Sequence, residues 1–285
     1  MTDRSATFVS TDWLAAHLGD PAVAVVDGSW YLPTENRDAE AEYRKAHIPG
    51  AVFFHLDKVA DTSSGLPHML PSPEAFARAV GALGISDKQT IVVYDGAGLF
   101  SAPRVRWTFR TMGARDVRIL EGGFPQWIAD GRPVESGEAN PEPKVFEAKL
   151  DSAAVRSIVE VRDIVATGSA TVVDARSGER FRGEAPEPRP GLRSGHMPGS
   201  SNVPSGALVA AGRLRSDVEI EAAFSAAGVD PDKPIVTSCG SGVTAAILAL
   251  GLETIGARDV ALYDGSWAEW GGAQDAPVVT GPADK

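Results

Sequence analysis

The sequence holds a single cysteine, Cys239, among its 285 residues. One thiol excludes an intramolecular disulfide, a zinc or iron–sulfur centre built on several cysteines, and any mechanism that needs a resolving cysteine in the same chain. Histidine is scarce as well: there are five, scattered, with no His-x3-His spacing, so no metal site is expected. Long apolar runs are missing. The stretch from Ala245 to Leu250 falls far short of the roughly 18 to 20 residues of a membrane span. Met1-Thr2-Asp3-Arg4 shows no basic region leading into an apolar one, so no secretory signal is expected. Positive charge is in the minority, with Lys+Arg 27 against Asp+Glu 38 and a net charge of −11, which argues against a nucleic-acid surface. These absences lead to the expectation of a cytoplasmic protein with neither nucleic acid nor membrane as partner.

What is present suits a folded chain: 43% hydrophobic and 23% charged residues are enough to build cores. The length fits two domains of about 140 residues each. The chain is also a repeat. The segment from Met112 to Trp127 and the segment from Ile255 to Trp270 share seven identities in sixteen positions at an offset of 255 − 112 = 143. Chance gives about one, so the chain reads as a duplication. His47-Ile-Pro-Gly50 pairs with His196-Met-Pro-Gly199, and Val25-Val-Asp27 with Val172-Val-Asp174. Ile91 to Gly96 pairs with Ile235 to Gly240, which sets Asp95 where Cys239 falls; one copy carries the thiol and the other does not. Between the copies, Arg132 to Lys144 is rich in Pro and Glu and reads as an extended surface linker. The expected division is a first domain over 1–140, a linker over 141–155 and a second domain over 156–285.

Short apolar runs alternate with helical patterns in each copy. In the second, strands are expected at 171–175, 235–238 and 260–263. A helix capped by Ser216 with Glu219 three residues on, and an apolar helix over 243–252, lie between them. Such alternation implies parallel sheets with helical crossovers, an α/β fold in tandem. Trp127 and Trp270 are expected in the cores.

Cys239 follows the strand 235–238 directly, and Gly240-Ser-Gly-Val-Thr244 leads from it into a helix. Ligands bind at the carboxyl ends of strands in open α/β sheets. A Gly-Ser-Gly turn lets successive N–H groups face inward as an anion nest, and the helix start adds positive potential. A thiol there is expected to serve as a thiolate nucleophile at neutral pH.

This loop, with the two His-x-Pro-Gly turns and the ending Tyr263-Asp-Gly-Ser-Trp-x-Glu-Trp270, resembles the tandem rhodanese sulfurtransferases, specifically their 3-mercaptopyruvate branch. The resemblance runs from about Val9 to Val279 and includes Asp27 to Pro33 and Ser101 to Trp107. It implies two rhodanese domains, each a parallel sheet flanked by helices, only the second catalytic. It further implies that Cys239 takes sulfur from 3-mercaptopyruvate as a persulfide, releases pyruvate, and passes the sulfur to thioredoxin, glutathione, another thiol or cyanide. Gly240, Gly242, Val243 and Thr244 would line the cradle. Arg180 and Arg189, in a segment found only in the second copy, match positions that hold the substrate carboxylate and keto oxygen. Ser241, His47 and Asp38 match a suggested Ser–His–Asp proton relay. A monomer without cofactor or metal is the family expectation.

Three other readings stand beside it. Thiosulfate-using relatives carry Arg and Lys in the two loop positions where Gly240 and Ser241 stand, so a thiosulfate:cyanide sulfurtransferase is the nearest alternative. A phosphatase on this fold needs arginine six positions after the cysteine, and Ala245 stands there. A non-catalytic binding module suits the Asp95 copy alone.

Overall fold

The computed structural model describes residues 4–283. In the first repeat the strands are β1 (Phe8–Val9), β2 (Val23–Asp27), β3 (Val52–Phe53), β4 (Thr90–Tyr94) and β5 (Asp116–Leu120). In the second, β6 (Val155–Arg156), β7 (Thr171–Asp174), β8 (Ser201–Asn202), β11 (Ile235–Ser238) and β12 (Val260–Tyr263) form the sheet, and β9 (Val209–Ala210) and β10 (Arg213–Leu214) make a small antiparallel hairpin. Strand order is β1-β5-β4-β2-β3 in one sheet and β6-β12-β11-β7-β8 in the other, all parallel. The two orders correspond strand for strand, as duplication demands. The central strands, Thr-Ile-Val-Val-Tyr and Ile-Val-Thr-Ser, are near-continuous β-branched runs because helices cover both faces.

The helices of the first repeat are α1 (Thr11–Ala16), α2 (Ala39–Lys45), α3 (Leu56–Val59), α4 (Pro73–Ala82), α5 (Ala102–Thr111) and α6 (Gly123–Ala129). The second repeat has α7 (Ile158–Thr167), α8 (Gly178–Arg182), α9 (Asp217–Ala226), α10 (Ala245–Thr254) and α11 (Ser266–Trp270). Capping boxes start α7 at Ser157 with Glu160 and α9 at Ser216 with Glu219. Trp127 and Trp270 are buried, and each indole N–H ends on the carbonyl of a proline, Pro133 or Pro277. Among the described residues no helix is long and apolar enough to cross a membrane.

The connecting segment differs from a free surface linker. It lacks regular structure from 139 to 150, yet Phe146 is buried against Phe76 and Phe109 at ring distances of 5.3 and 6.1 Å. Lys144 N–H also donates to the Gly81 carbonyl at 2.9 Å. Phe146 and backbone hydrogen bonds, among them Lys149 N–H to the Met112 carbonyl, thus fasten the connection to the first repeat, an effect that Pro and Glu content does not reveal.

The two repeats pack through α5 and α10, and one apolar cluster runs through both. At the outer end of this contact Arg106 forks onto Glu253 at 2.8 and 3.0 Å, and Arg110 joins the same carboxylate. Burial pushes the Glu253 carboxyl up, but hydrogen bonding and charge from Arg106, with Arg110, outweigh it and bring it down to about 2. A depressed carboxyl stabilises the fold fully above its unfolded value near 4.5 and loses that contribution as pH falls toward 2. Glu253→Gln should therefore cost about 1 kcal/mol at neutral pH, a modest figure because the side chain is partly solvated. Urea melts should show that difference closing between pH 4.5 and about 2.5.

Candidate active site

Cys239 sits at the carboxyl end of the central strand β11 and is 2% exposed. The turn from Gly240 to Thr244 carries the chain into α10. What such a turn holds is visible in the other repeat. There the Asp95 carboxylate accepts N–H bonds from Ala97 (2.9 Å), Phe100 (2.7 Å), Ser101 (2.9 Å) and Ala102 (2.8 Å). The amides before α5 converge on the side chain at the position of the thiol. A carboxylate fills that nest permanently, so the first copy offers its amides to no other anion. The equivalent turn of the second copy presents a cysteine instead.

Two guanidinium groups lie over the loop that follows Cys239. A Cβ built on Gly240 would stand 3.2 Å from Nη2 of Arg180 and 3.9 Å from Nη1 of Arg189. Arg189 also donates from Nη2 to Ser241 Oγ at 3.3 Å. Burial lowers the Arg189 value, as does the nearby Arg180 charge, while Cys239 acts in the opposite sense. Arg180 is aimed by a buried chain of charges. Asp174, ending β7, pairs with Arg176 (2.7 Å); Arg176 pairs with Glu187 (2.8 Å); and Glu187 pairs with Arg180 (2.6 Å). The Glu187 carboxylate is 1% exposed and holds both arginines, and Arg176 also stacks on Trp267 at 4.1 Å. Here one acidic group orients Arg180 while Arg189 keeps its fork toward the loop. Arg182, by contrast, pairs outward with Glu184.

The structure does not bring His47 and Asp38 to Ser241. The His47 ring is buried against Tyr43 at 4.0 Å, with Nδ1 on the Tyr43 carbonyl (2.8 Å) and Nε2 on Glu135 (3.2 Å). His196 does the same in its own repeat, stacked on Phe181 at 3.7 Å with Nδ1 on that residue's carbonyl. Both backbones form an isolated bridge, to Glu135 and to Val279. The repeated His-x-Pro-Gly turn is thus a structural lock. Asp38 caps α2 by accepting the Ala41 N–H at 3.0 Å.

The first repeat sends a different histidine across. His68, in a left-handed conformation (φ 63°), sets Nδ1 3.2 Å from the Ser241 carbonyl and Nε2 3.0 Å from Asp57 Oδ1. Trp30 donates from Nε1 to Asp57 at 3.1 Å and meets the imidazole edge-on at 4.8 Å. The His68 hydrogen bond lowers the Asp57 carboxyl against the opposing push of burial. A usable signal existed in the sequence: with Ser72 aligned to Ser216, His68 falls where the second repeat has Gly212, the same kind of asymmetry that singled out Cys239.

Arg104 of α5 completes the crossing. Its side chain is 1% exposed, pairs with Asp264 at 2.7 Å, and donates to the carbonyls of His68 (2.5 Å) and Gly242 (3.3 Å). Asp264 in turn accepts the Leu70 N–H at 2.7 Å. Gly242, at φ +79°, is required here, because a Cβ would stand 2.6 Å from Arg104 Nη1.

Comparison with known proteins agrees with this architecture. The rhodanese-like domain model matches residues 10–130 and 157–273. The 3-mercaptopyruvate sulfurtransferase of Escherichia coli K12 is 45% identical over 272 residues, covering 95% of this chain and 97% of that protein. The mitochondrial thiosulfate/3-mercaptopyruvate sulfurtransferase 1 of Arabidopsis thaliana is 43% identical over 95% of this chain and 77% of that protein. Among solved structures, the E. coli 3-mercaptopyruvate sulfotransferase SseA superposes with a TM-score of 0.85 at 43% identity, over 91% of this chain and 98% of that one. The chain belongs to the rhodanese family, as a tandem of two rhodanese-like domains.

Proposed function

We propose that this chain takes sulfur from 3-mercaptopyruvate onto Cys239 and delivers it to a thiol or to cyanide. The observation that carries the reading is the meeting of a lone buried cysteine, in a turn whose twin binds a carboxylate, with two arginine forks at Gly240. A keto acid carries a carboxylate and a carbonyl, and forks of this kind suit bidentate capture of the first while polarising the second.

The steps follow from the groups present. The Cys239 thiolate attacks the donor sulfur, a sulfur–sulfur bond forms, and the carbon–sulfur electron pair leaves as pyruvate enolate. Protonation of that carbon gives pyruvate; Ser241, two residues from the nucleophile, carries a hydroxyl proton, and His68 holds the Ser241 carbonyl. An acceptor thiolate then attacks the outer sulfur and restores Cys239, a covalent two-step transfer. The cradle amides stabilise the persulfide anion as an oxyanion hole stabilises oxygen. Gly240, Gly242, Val243 and Thr244 supply that cradle, and the loop itself carries no cation for a thiosulfate dianion. We place the enzyme in the cytoplasm as a monomer, with thioredoxin, glutathione or cyanide as acceptor.

A donor comparison tests this. Purified protein incubated with 3-mercaptopyruvate should gain one sulfur, about 32 Da, reversible by a thiol reductant, with little gain from thiosulfate. A gain from thiosulfate alone moves the chain to the thiosulfate branch, thiosulfate being the first donor in the name of the Arabidopsis relative. No gain from either supports a binding role.

A further inference from the structure

Ser266 opens α11, is wholly buried, and takes the left-handed conformation at φ 50° although it is not glycine. Its hydroxyl donates to the Tyr263 carbonyl at 2.9 Å and accepts the backbone N–H of Cys239 at 3.2 Å. With its one hydrogen committed to Tyr263, only an oxygen lone pair faces Cys239. The next residues continue the attachment: Trp267 N–H donates to the Cys239 carbonyl and Ala268 N–H to the Gly240 carbonyl, both at 2.9 Å. Both backbone polar groups of the cysteine therefore end on one turn of α11.

The first repeat supplies the control. Gly123 occupies the corresponding place, 266 − 143 = 123, with φ 58°. Phe124 N–H donates to the Asp95 carbonyl at 3.0 Å, so the carbonyl attachment is common to both copies. A Cβ at Gly123 would stand 2.5 Å from the Asp95 carbonyl oxygen and 2.8 Å from Gly98 Cα, so no serine fits there. The amide attachment, with a strained non-glycine residue to make it, occurs in the copy that carries the thiol. Persistent strain of this kind is held where the surroundings over-determine it, and it clusters at functional sites.

We propose that Ser266 is a positioning residue for Cys239. Its hydroxyl draws the Cys239 amide toward α11 and fixes the direction of the Cα–Cβ bond, which aims the sulfur at the donor; Ser266 touches no substrate. The inference rests on Cys239 as the nucleophile. Small errors of aim are costly in a displacement that needs an in-line approach, so loss of the attachment should slow sulfur loading without weakening donor binding.

The test compares Ser266→Gly with Ser266→Ala. The glycine variant reproduces the first repeat, and its melting temperature should equal or exceed that of the wild type. Its single-turnover rate of sulfur loading from mercaptopyruvate should fall about tenfold, with the half-saturating concentration changing less than twofold. The alanine variant keeps the strain without the hydroxyl and should lose both rate and melting temperature. Because Cys239 is the sole cysteine, 15N-cysteine labelling gives one backbone amide signal, and its hydrogen exchange should quicken about tenfold or more in both variants. An unchanged loading rate in Ser266→Gly, a melting temperature that falls in step with the rate in that variant, or unchanged amide exchange each overturns the proposal. A wild type that loads sulfur from neither donor overturns the functional reading instead, and amide exchange then decides alone whether Ser266 holds Cys239.

Discussion

Cys239→Ser should abolish sulfur transfer, with at least a thousandfold loss in kcat/KM and no sulfur adduct in the intact mass after incubation with either donor. The size of the effect follows from what the chain lacks. There is no second thiol to carry the sulfur, and a serine hydroxyl is a far poorer nucleophile toward sulfur than a cysteine. The amides and arginines would remain and still hold the donor, so binding of pyruvate or mercaptopyruvate should persist while turnover stops. The fold should tolerate the change to within about 1 kcal/mol, because the side chain is small and near-isosteric with cysteine. Steady-state transfer to cyanide, read as thiocyanate, together with a denaturation curve, separates the two effects. A variant that kept wild-type transfer would remove Cys239 from the mechanism.

Duplication made much of this site legible before any coordinates. Asp95 opposite Cys239 singled out the copy that carries the thiol, and the β-branched run 235–238 reads as the strand that it forms. The Arg180 to Arg189 segment stood out because one copy has it and the other does not. The same comparison bears on the suggested relay. His47 sits in a turn that both copies share, and shared turns hold the fold together: its ring stacks on Tyr43, as that of His196 does on Phe181. His68 falls where the other copy has Gly212, and it reaches Ser241 from 173 positions away. Glu187 aims Arg180 while it is held by Arg176, which approaches from the end of β7, a contact that no local pattern in the sequence reveals. Contacts across the α5–α10 junction left no periodic trace, because they depend on how two finished domains meet.

Arg104 and Asp264 carry the second large effect, since they tie that junction to the catalytic loop. Their side chains are 1% and 4% exposed, so removing one leaves the other buried without its counter-charge. Arg104→Met should therefore destabilise the protein by about 3–5 kcal/mol, the usual consequence of breaking a buried pair from one side. Activity should fall further than instability explains, because two carbonyls that frame the nucleophile lose their donor: that of Gly242 in the loop and that of His68 in the segment crossing from the first repeat. Combining Arg104→Met with Asp264→Asn separates the two consequences. The amide oxygen of asparagine still accepts the Leu70 N–H, and no charge stays buried, so most of the lost stability should return in urea melts. The donors to Gly242 and His68 remain missing, so kcat/KM should stay roughly ten- to a hundredfold below wild type at a temperature where both proteins are fully folded. Recovery of stability and activity together would mean that the pair serves packing alone. Recovery of stability without activity would give the thiol-free repeat its reason for retention: it lends the catalytic loop a guanidinium and a histidine that the second repeat does not carry at those positions.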